Sequence, residues 1–206
     1  LDAVEFLEKF NPKVYKISSF EINDFQLVNK IASYEILWED LLIKCAKTKK
    51  PIIISTGMAN MKEVINAIKI LKKNGAKKII ILHCVSSYPA KLKSLNLSAI
   101  STLRKKTKLD IGWSDHSAKS LVVYKAIQKW KASFVELHID LDGKGFEYKS
   151  GHCWLPKNAK ELINFVKQDK LVDGNGKKKP NFEEISERKF RADKIDGLRP
   201  IRKYRK

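Results

Sequence analysis

Lys78-Ile79-Ile80-Ile81-Leu82-His83-Cys84 is a near-continuous apolar run that stops on side chains able to do chemistry. A run this short and this apolar suits a strand buried on both faces, as in a parallel sheet. Four further segments repeat the design: Val14-Tyr15-Lys16-Ile17-Ser18-Ser19, Pro51-Ile52-Ile53-Ile54-Ser55-Thr56, Leu109-Asp110-Ile111-Gly112-Trp113-Ser114 and Ser133-Phe134-Val135-Glu136-Leu137-His138. Helical periodicity fills the intervals. Met61 to Lys73 sets Val64, Ile65, Ile68 and Leu71 on one stripe before Asn74-Gly75 stops it. Ser117 to Lys129 does the same with Leu121, Tyr124, Ala126 and Ile127, with Ser117 as N-cap. Asp2 to Phe10, Asp24 to Lys47 and Asn158 to Asp169 complete the helical segments. Strand and helix alternate, so the fold class is α/β with right-handed crossovers.

Two architectures share that alternation. No Gly-x-Gly-x-x-Gly follows any strand, which removes support for an open dinucleotide-binding sheet. Every strand ends in Ser, His, Glu or Lys, and in a (β/α)8 TIM barrel such ends converge on one mouth. The barrel is therefore expected, as an incomplete segment of about five strands. Closure needs eight, and the first three are expected to be missing from the N-terminal side. The barrel segment is assigned to residues 1–170. Residues 171–206 begin with the turn-rich Asp173-Gly174-Asn175-Gly176-Lys177-Lys178-Lys179-Pro180 and form a basic linker and tail with no separate core, holding one short helix over Phe182 to Phe190.

The chain of 206 residues carries 42 Lys and Arg against 23 Asp and Glu, a net charge of +19. Such a balance raises the question of nucleic acid. Lysine supplies nearly all of it, spread singly over helix faces, while five of the six arginines fall in the last nineteen residues. Base and phosphate recognition leans on arginine's planar fork, so a solvated lysine-rich surface is the better reading. No apolar stretch approaches the roughly 20 residues of a membrane span. Cys45, Cys84 and Cys153 are too few and too scattered for a disulfide framework, which points to a reducing, cytoplasmic compartment.

His116, in Trp113-Ser114-Asp115-His116-Ser117, and His138 end neighbouring strands. Two imidazoles converging at a barrel mouth suit a divalent ion and leave coordination positions open for chemistry. Lys16 sits inside an apolar strand, where an unpaired ammonium is costly. A bound phosphate or carboxylate would answer it, as would Glu21 or Glu136. Ser19, Ser55 and Ser114 each place a hydroxyl at a strand terminus, a collective arrangement able to cradle an anion. No nucleophile elbow accompanies them, so hydrolase chemistry lacks support.

Five ordered motifs carry a resemblance: Tyr15-Lys16-Ile17-Ser18-Ser19-Phe20-Glu21, Ile54-Ser55-Thr56-Gly57-Met58, Leu82-His83-Cys84-Val85-Ser86-Ser87-Tyr88-Pro89, Gly112-Trp113-Ser114-Asp115-His116-Ser117 and Val135-Glu136-Leu137-His138. Together they resemble the strand ends of the sialic acid synthase family, which includes N-acetylneuraminate, legionaminate and pseudaminate synthases. The resemblance implies a barrel enzyme, a transferase of carbohydrate biosynthesis. Such an enzyme condenses phosphoenolpyruvate with an open-chain N-acyl amino sugar, with help from Mn²⁺ or Mg²⁺. It implies His116 and His138 as metal ligands, and Lys16, Ser19, Ser55 and Ser114 on phosphoenolpyruvate. Ser86 and Tyr88 would line that pocket, and Glu21 would touch the sugar. It also implies a homodimer for the full-length protein, and inactivity for the 206-residue chain by itself.

The chain departs from the family after His138. Instead of a Gly-Pro-Asp loop it has Gly143-Lys144-Gly145-Phe146-Glu147-Tyr148-Lys149-Ser150-Gly151-His152-Cys153-Trp154, where Glu147 and His152 are the candidate sugar contacts. The segment Tyr34 to Lys49 is longer than usual, and the tail stands where many members carry an antifreeze-like domain. Two alternatives stay open. One is another phosphoenolpyruvate-dependent deoxy-sugar-acid synthase on the same barrel. The other is a non-catalytic basic module binding an acidic polymer through residues 177 to 206.

Overall fold

All five apolar runs form strands, in a computed structural model that describes residues 2–17 and 37–205. They are β1 (Tyr15–Ile17), β2 (Ile52–Ser55), β3 (Ile79–Cys84), β4 (Asp110–Asp115) and β5 (Val135–Leu137). Each pairs in parallel with the next, giving one sheet in the order β1-β2-β3-β4-β5. Helices α1 (Asp2–Glu8), α2 (Glu39–Lys47), α3 (Met61–Lys73), α4 (Ala99–Thr107) and α5 (Ser120–Gln128) precede or link the strands. A short α6 (Phe146–Lys149) and a long α7 (Pro156–Asp173) follow β5. Of the expected helix over Asp24 to Lys47 the structure shows Glu39–Lys47, with Trp38 before it at the N-cap position, and residues 24–36 lie outside the described residues.

Side chains alternate across the strands. Ile52, Ile54, Ile79, Ile81, Ile111 and Trp113 join the main core with Leu42, Val64, Ala67, Leu71 and Leu103 from the helices. Helix α3 shows how local chemistry sets this up. The Asn60 side chain accepts from the N–H groups of Lys62 and Glu63, while the Glu63 carboxylate accepts from Asn60 N–H, closing a capping box. Its stripe then buries Val64, Ala67, Ile68 and Leu71, each full burial of a large aliphatic chain contributing about 1.5–3 kcal/mol.

Lys16, Ser55, Cys84, Ser114 and Glu136 take the opposite face. The register places Lys16 beside Ile53, Cys84 beside Ser114, and Ser114 beside Glu136. A flat sheet would hold β1 and β5 about 19 Å apart, beyond the joint reach of a lysine and a glutamate. Lys16 Nζ nonetheless lies 3.3 Å from Glu136 Oε1. The sheet is therefore curled about this face, as a barrel wall is.

Several boundaries differ from the sequence expectation. Ser117 does not cap α5, which starts at Ser120 after Ala118 takes a left-handed φ of 48°. Ser117 serves Asp115 instead. Helix α7 begins at Pro156, two residues before the expected Asn158, because proline is accommodated in a first helical turn. His83 does not reach the mouth with the other strand ends. Its ring lies 5.2 Å from that of Trp113 and its Nε2 bonds Leu95 O at 2.9 Å, so Cys84 is this strand's inward-facing end.

The chain divides into two compact units, residues 1–166 and 167–206. In the second, α8 (Phe182–Glu187) carries its own capping box from Asn181, and a 3₁₀ turn follows over Arg188–Phe190. Asp193 accepts from the N–H groups of Ile195 and Arg202, and Arg202 and Arg205 both meet Asp196. The pairing with Arg205 and the Leu198 N–H holds the Asp196 carboxyl well below its ordinary range. Two of the five tail arginines are thus engaged within the tail. No helix among the described residues is long and apolar enough to cross a membrane.

Gly112 provides a direct test of the curl. A Cβ there would lie 2.5 Å from Phe134 O and 2.6 Å from Leu82 Cδ2. Gly112→Ala is expected to destabilise the protein by about 1–3 kcal/mol, the usual range for overpacking, as measured by urea unfolding. An unchanged midpoint would contradict the tight strand approach.

Candidate active site

The inward strand ends meet in two connected groups. The first is centred on Glu136. Its Oε1 accepts from Ser114 Oγ at 2.8 Å and pairs with Lys16 Nζ at 3.3 Å. The Lys16 side chain is 34% exposed, so the pair is open to solvent on one side. Ser55 lies two residues beyond the partner of Lys16 on the same face. Its residue is 1% exposed, and among the described residues its Oγ is a buried polar atom with no hydrogen-bond partner. A buried hydroxyl without a partner costs about 1–3 kcal/mol, and a ligand group would relieve that cost.

The second group is a cluster of rings. Tyr88 stacks at 4.2 Å on His116, 5.9 Å from His138 and 5.0 Å from His152. His138 stands between the other two imidazoles, 4.9 Å from His116 and 5.3 Å from His152. Burial pushes the Tyr88 phenol up to about 12, against a lowering by its hydrogen bond with Ser86. Burial is also the main cause holding His116 and His152 below 6.5, their ordinary value, so both rings are neutral near pH 7.

Ring orientation follows from the partners. His116 Nδ1 is 2.8 Å from Val85 O, which can only accept, so Nδ1 carries the proton and Nε2 keeps its lone pair. Ser150 Oγ donates its one proton to Glu147 O, so it accepts from His152 Nδ1 at 2.7 Å. His152 Nε2 is therefore free as well. Imidazoles held this way are preset as metal ligands. Ligand atoms of His138, Glu147, His152 and Cys153 lie within 4.8 Å of one another, a group able to hold a metal ion. His116, expected to share the ion with His138, is not part of that tighter group.

Asp115 organises the mouth. This carboxylate is fully buried and accepts from Trp113 Nε1 at 3.2 Å, Ser117 Oγ at 2.7 Å, Ala118 N at 3.0 Å and Trp154 Nε1 at 3.2 Å. Trp154 in turn donates its N–H to His138 O at 2.7 Å, and its carbonyl accepts from Asp140 N at 2.9 Å. Sequence reasoning singled out neither Asp115 nor Trp154. The available signal was an aspartate between Ser114 and His116 in an otherwise apolar strand end. Of the expected site residues, Lys16, Ser55, Ser86, Tyr88, Ser114, His116, His138, Glu147 and His152 belong to these two groups or border them. Ser19 and Glu21 lie outside the described residues. A cavity of about 720 Å³ opens beside α5 and α7 and is lined by none of the strand-end side chains.

A curled parallel α/β sheet whose strand ends gather lysine, serine hydroxyls and imidazoles defines a barrel-type enzyme site, and known proteins say which. The NeuB family model matches residues 28–178, and the chain belongs to that family. It is 35% identical over 188 residues to the N,N'-diacetyllegionaminic acid synthase of Campylobacter jejuni, covering 89% of this chain and 51% of that protein. It is 34% identical over 177 residues to the pseudaminic acid synthase of the same species, covering 85% and 47%. Among solved structures, the N-acetylneuraminic acid synthetase of Leptospira borgpetersenii in complex with citrate superposes with a TM-score of 0.70 at 29% identity, over 91% of this chain and 60% of that one. The five strands are thus a segment of a (β/α)8 barrel, and the chain spans about half the length of the curated relatives it matches.

Two predictions follow from the site's polar groups. Asp115→Ala would strand the indole N–H groups of Trp113 and Trp154 and is expected to cost about 3 kcal/mol or more, read by denaturant unfolding. The depressed imidazoles of His83, His116 and His152 also tie stability to pH. An unfolded chain protonates near pH 6.5 while these rings resist, so their contribution is complete above about 6.5 and is lost as the pH falls. The melting temperature should drop between about pH 7.5 and pH 5.5; a flat profile would contradict neutral buried rings.

Proposed function

We propose that the protein acts in nonulosonic (sialic-type) acid synthesis, condensing phosphoenolpyruvate with an open-chain N-acyl amino sugar of the N-acetylmannosamine kind. The observation that carries this is the buried Ser55 hydroxyl, without a partner among the described residues, on the same strand-end face as Lys16. A cation and an unmet hydroxyl at one barrel mouth suit a phosphorylated anion. Membership of the NeuB family and the synthase relatives support the same reading.

Lys16, Ser55 and Ser114 then bind phosphoenolpyruvate, chiefly its phosphate, and Ser19 joins them by its position in the motif. The ion pair to Glu136 keeps the Lys16 ammonium in the pocket until the phosphate competes for it. Tyr88 and Ser86 form the pocket wall, while Glu21 and the loop bearing Glu147 and His152 border the acceptor sugar. His116 and His138 would hold a divalent ion, Mn²⁺ or Mg²⁺, which when bound supplies Lewis-acid polarisation of the sugar aldehyde.

C3 of phosphoenolpyruvate forms a bond to the aldehyde carbon, whose oxygen takes up a proton. Water adds at C2, and the bond from C2 to the phosphate oxygen breaks, leaving a 2-keto acid and inorganic phosphate. Lys16 and the serine hydroxyls oppose the charge that gathers on the departing phosphate.

Ser55→Ala is expected to weaken phosphoenolpyruvate binding about tenfold, one hydrogen bond to a charged group, in isothermal titration. The ligand-free melting temperature should hold or rise, since a partnerless buried hydroxyl is removed. Phosphate release by the full-length protein that does not depend on an N-acyl sugar would overturn the assigned reaction.

A further inference from the structure

The cavity of about 720 Å³ outside the mouth lies between the start of α5, the loop after β5 and the first turns of α7. Its volume falls in the range of about 300–1,000 Å³ that takes small molecules. Trp154 and Leu162, both buried, make its apolar wall with Phe165. The Phe165 ring is itself backed by that of Tyr124 at 5.0 Å. Lys149, Asn158 and Glu161 add a cation, an amide and a carboxylate to the lining. Among the described residues neither Lys149 nor Glu161 forms an ion pair.

We propose that this cavity is a second binding site, separate from the mouth, for a carboxylated sugar, and that its ligand is the sialic-type acid the protein makes. The choice of the product rests on the proposed function, whereas a site for a carboxylated sugar does not. Each part of such a ligand finds a partner in the lining. Its carboxylate meets the Lys149 ammonium, its hydroxyl groups donate to Glu161, and Asn158 can both donate and accept. The C–H face of the sugar lies against the apolar rings. A phosphate dianion is a poorer match, because the Glu161 carboxylate repels its second charge.

Trp154 is the wall that the cavity shares with the catalytic machinery. Its indole N–H donates to Asp115 Oδ2 at 3.2 Å and its backbone N–H donates to His138 O at 2.7 Å. Cys153, which also lines the cavity, adjoins His152. Trp154 already meets both partners at hydrogen-bond distance, so a ligand that displaces it lengthens those contacts and lowers turnover. The coupling is reciprocal: whatever favours the ordered mouth weakens the acid by the same factor.

The test is calorimetric titration of the full-length protein with N-acetylneuraminic acid, under saturating phosphoenolpyruvate so that the mouth is occupied. One acid should bind per chain, and its neutral methyl ester should bind at least about tenfold more weakly, the loss of a hydrogen bond to a charged group. Lys149→Ala should weaken the acid by a similar factor, and Asn158→Trp should fill the cavity and abolish binding. Both positions are exposed, so the melting temperatures should hold, and Lys149→Ala carries the test if Asn158→Trp does not fold. In turnover, the acid should lower kcat for phosphate release at an unchanged KM for phosphoenolpyruvate. Asn158→Trp should keep the original rate and escape that loss. No binding under saturating phosphoenolpyruvate, equal binding of the ester, or undiminished binding in Lys149→Ala would overturn the site. Acid binding with these properties but phosphate release independent of an N-acyl sugar would overturn the assigned reaction alone.

Discussion

Asp115 ends β4 out of contact with water and gathers two indole N–H groups, a serine hydroxyl and a backbone N–H on its two oxygens. A buried carboxylate is tolerated only when its lone pairs are met, so these donors are held where the carboxylate needs them. The Ala118 N–H is drawn in at a left-handed φ that an alanine rarely adopts, which turns the chain sharply after His116. Trp154 is drawn in from 39 residues away, and its backbone N–H and carbonyl clamp the chain on either side of Ile139. Both histidines of the mouth are thus positioned from one carboxylate, although Asp115 itself lies on the outward face by strand alternation.

The inward face follows a different rule. Glu136, Ser114 and Lys16 satisfy one another across three strands, so they need no ligand to be stable. Ser55 has no such partner among the described residues. The contrast separates a preorganised support from a position that gains only when something binds. It also explains how a lysine survives within an apolar strand: the Glu136 carboxylate meets it from the far side of a curled sheet.

Family membership and the local departures are compatible because they lie in different parts of the fold. The strands that carry Lys16, Ser55, Ser114, His116 and His138 are set by the barrel. The loop between β5 and α7 is tied to the strand at its two ends by the bridge to Trp154 and otherwise holds itself together by local hydrogen bonds, so it can carry chemistry of its own. In this chain it carries His152, Cys153 and Glu147. The high positive charge plays a smaller part, since the lysines are spread over helices and loops alike and two of the tail arginines are held by Asp196.

The sequence by itself determined the five strands, their order and the α/β class, because apolar runs of five or six residues between amphipathic helices admit few other arrangements. Lys16, Ser55, Ser114, His116 and His138 were legible for the same reason, as polar residues at apolar strand ends. The Lys16–Glu136 pair was legible only as one of two candidate carboxylates, and the tie between Asp115 and Trp154 was not legible at all, since it spans 39 residues and leaves no periodic trace. His83 shows the same limit in reverse. It sits at a strand end like the others, yet one step of alternation turns it outward onto Trp113. Only the tertiary structure decided which polar ends face the mouth and which donors surround His138, because both depend on how far the sheet curls and where the loop returns.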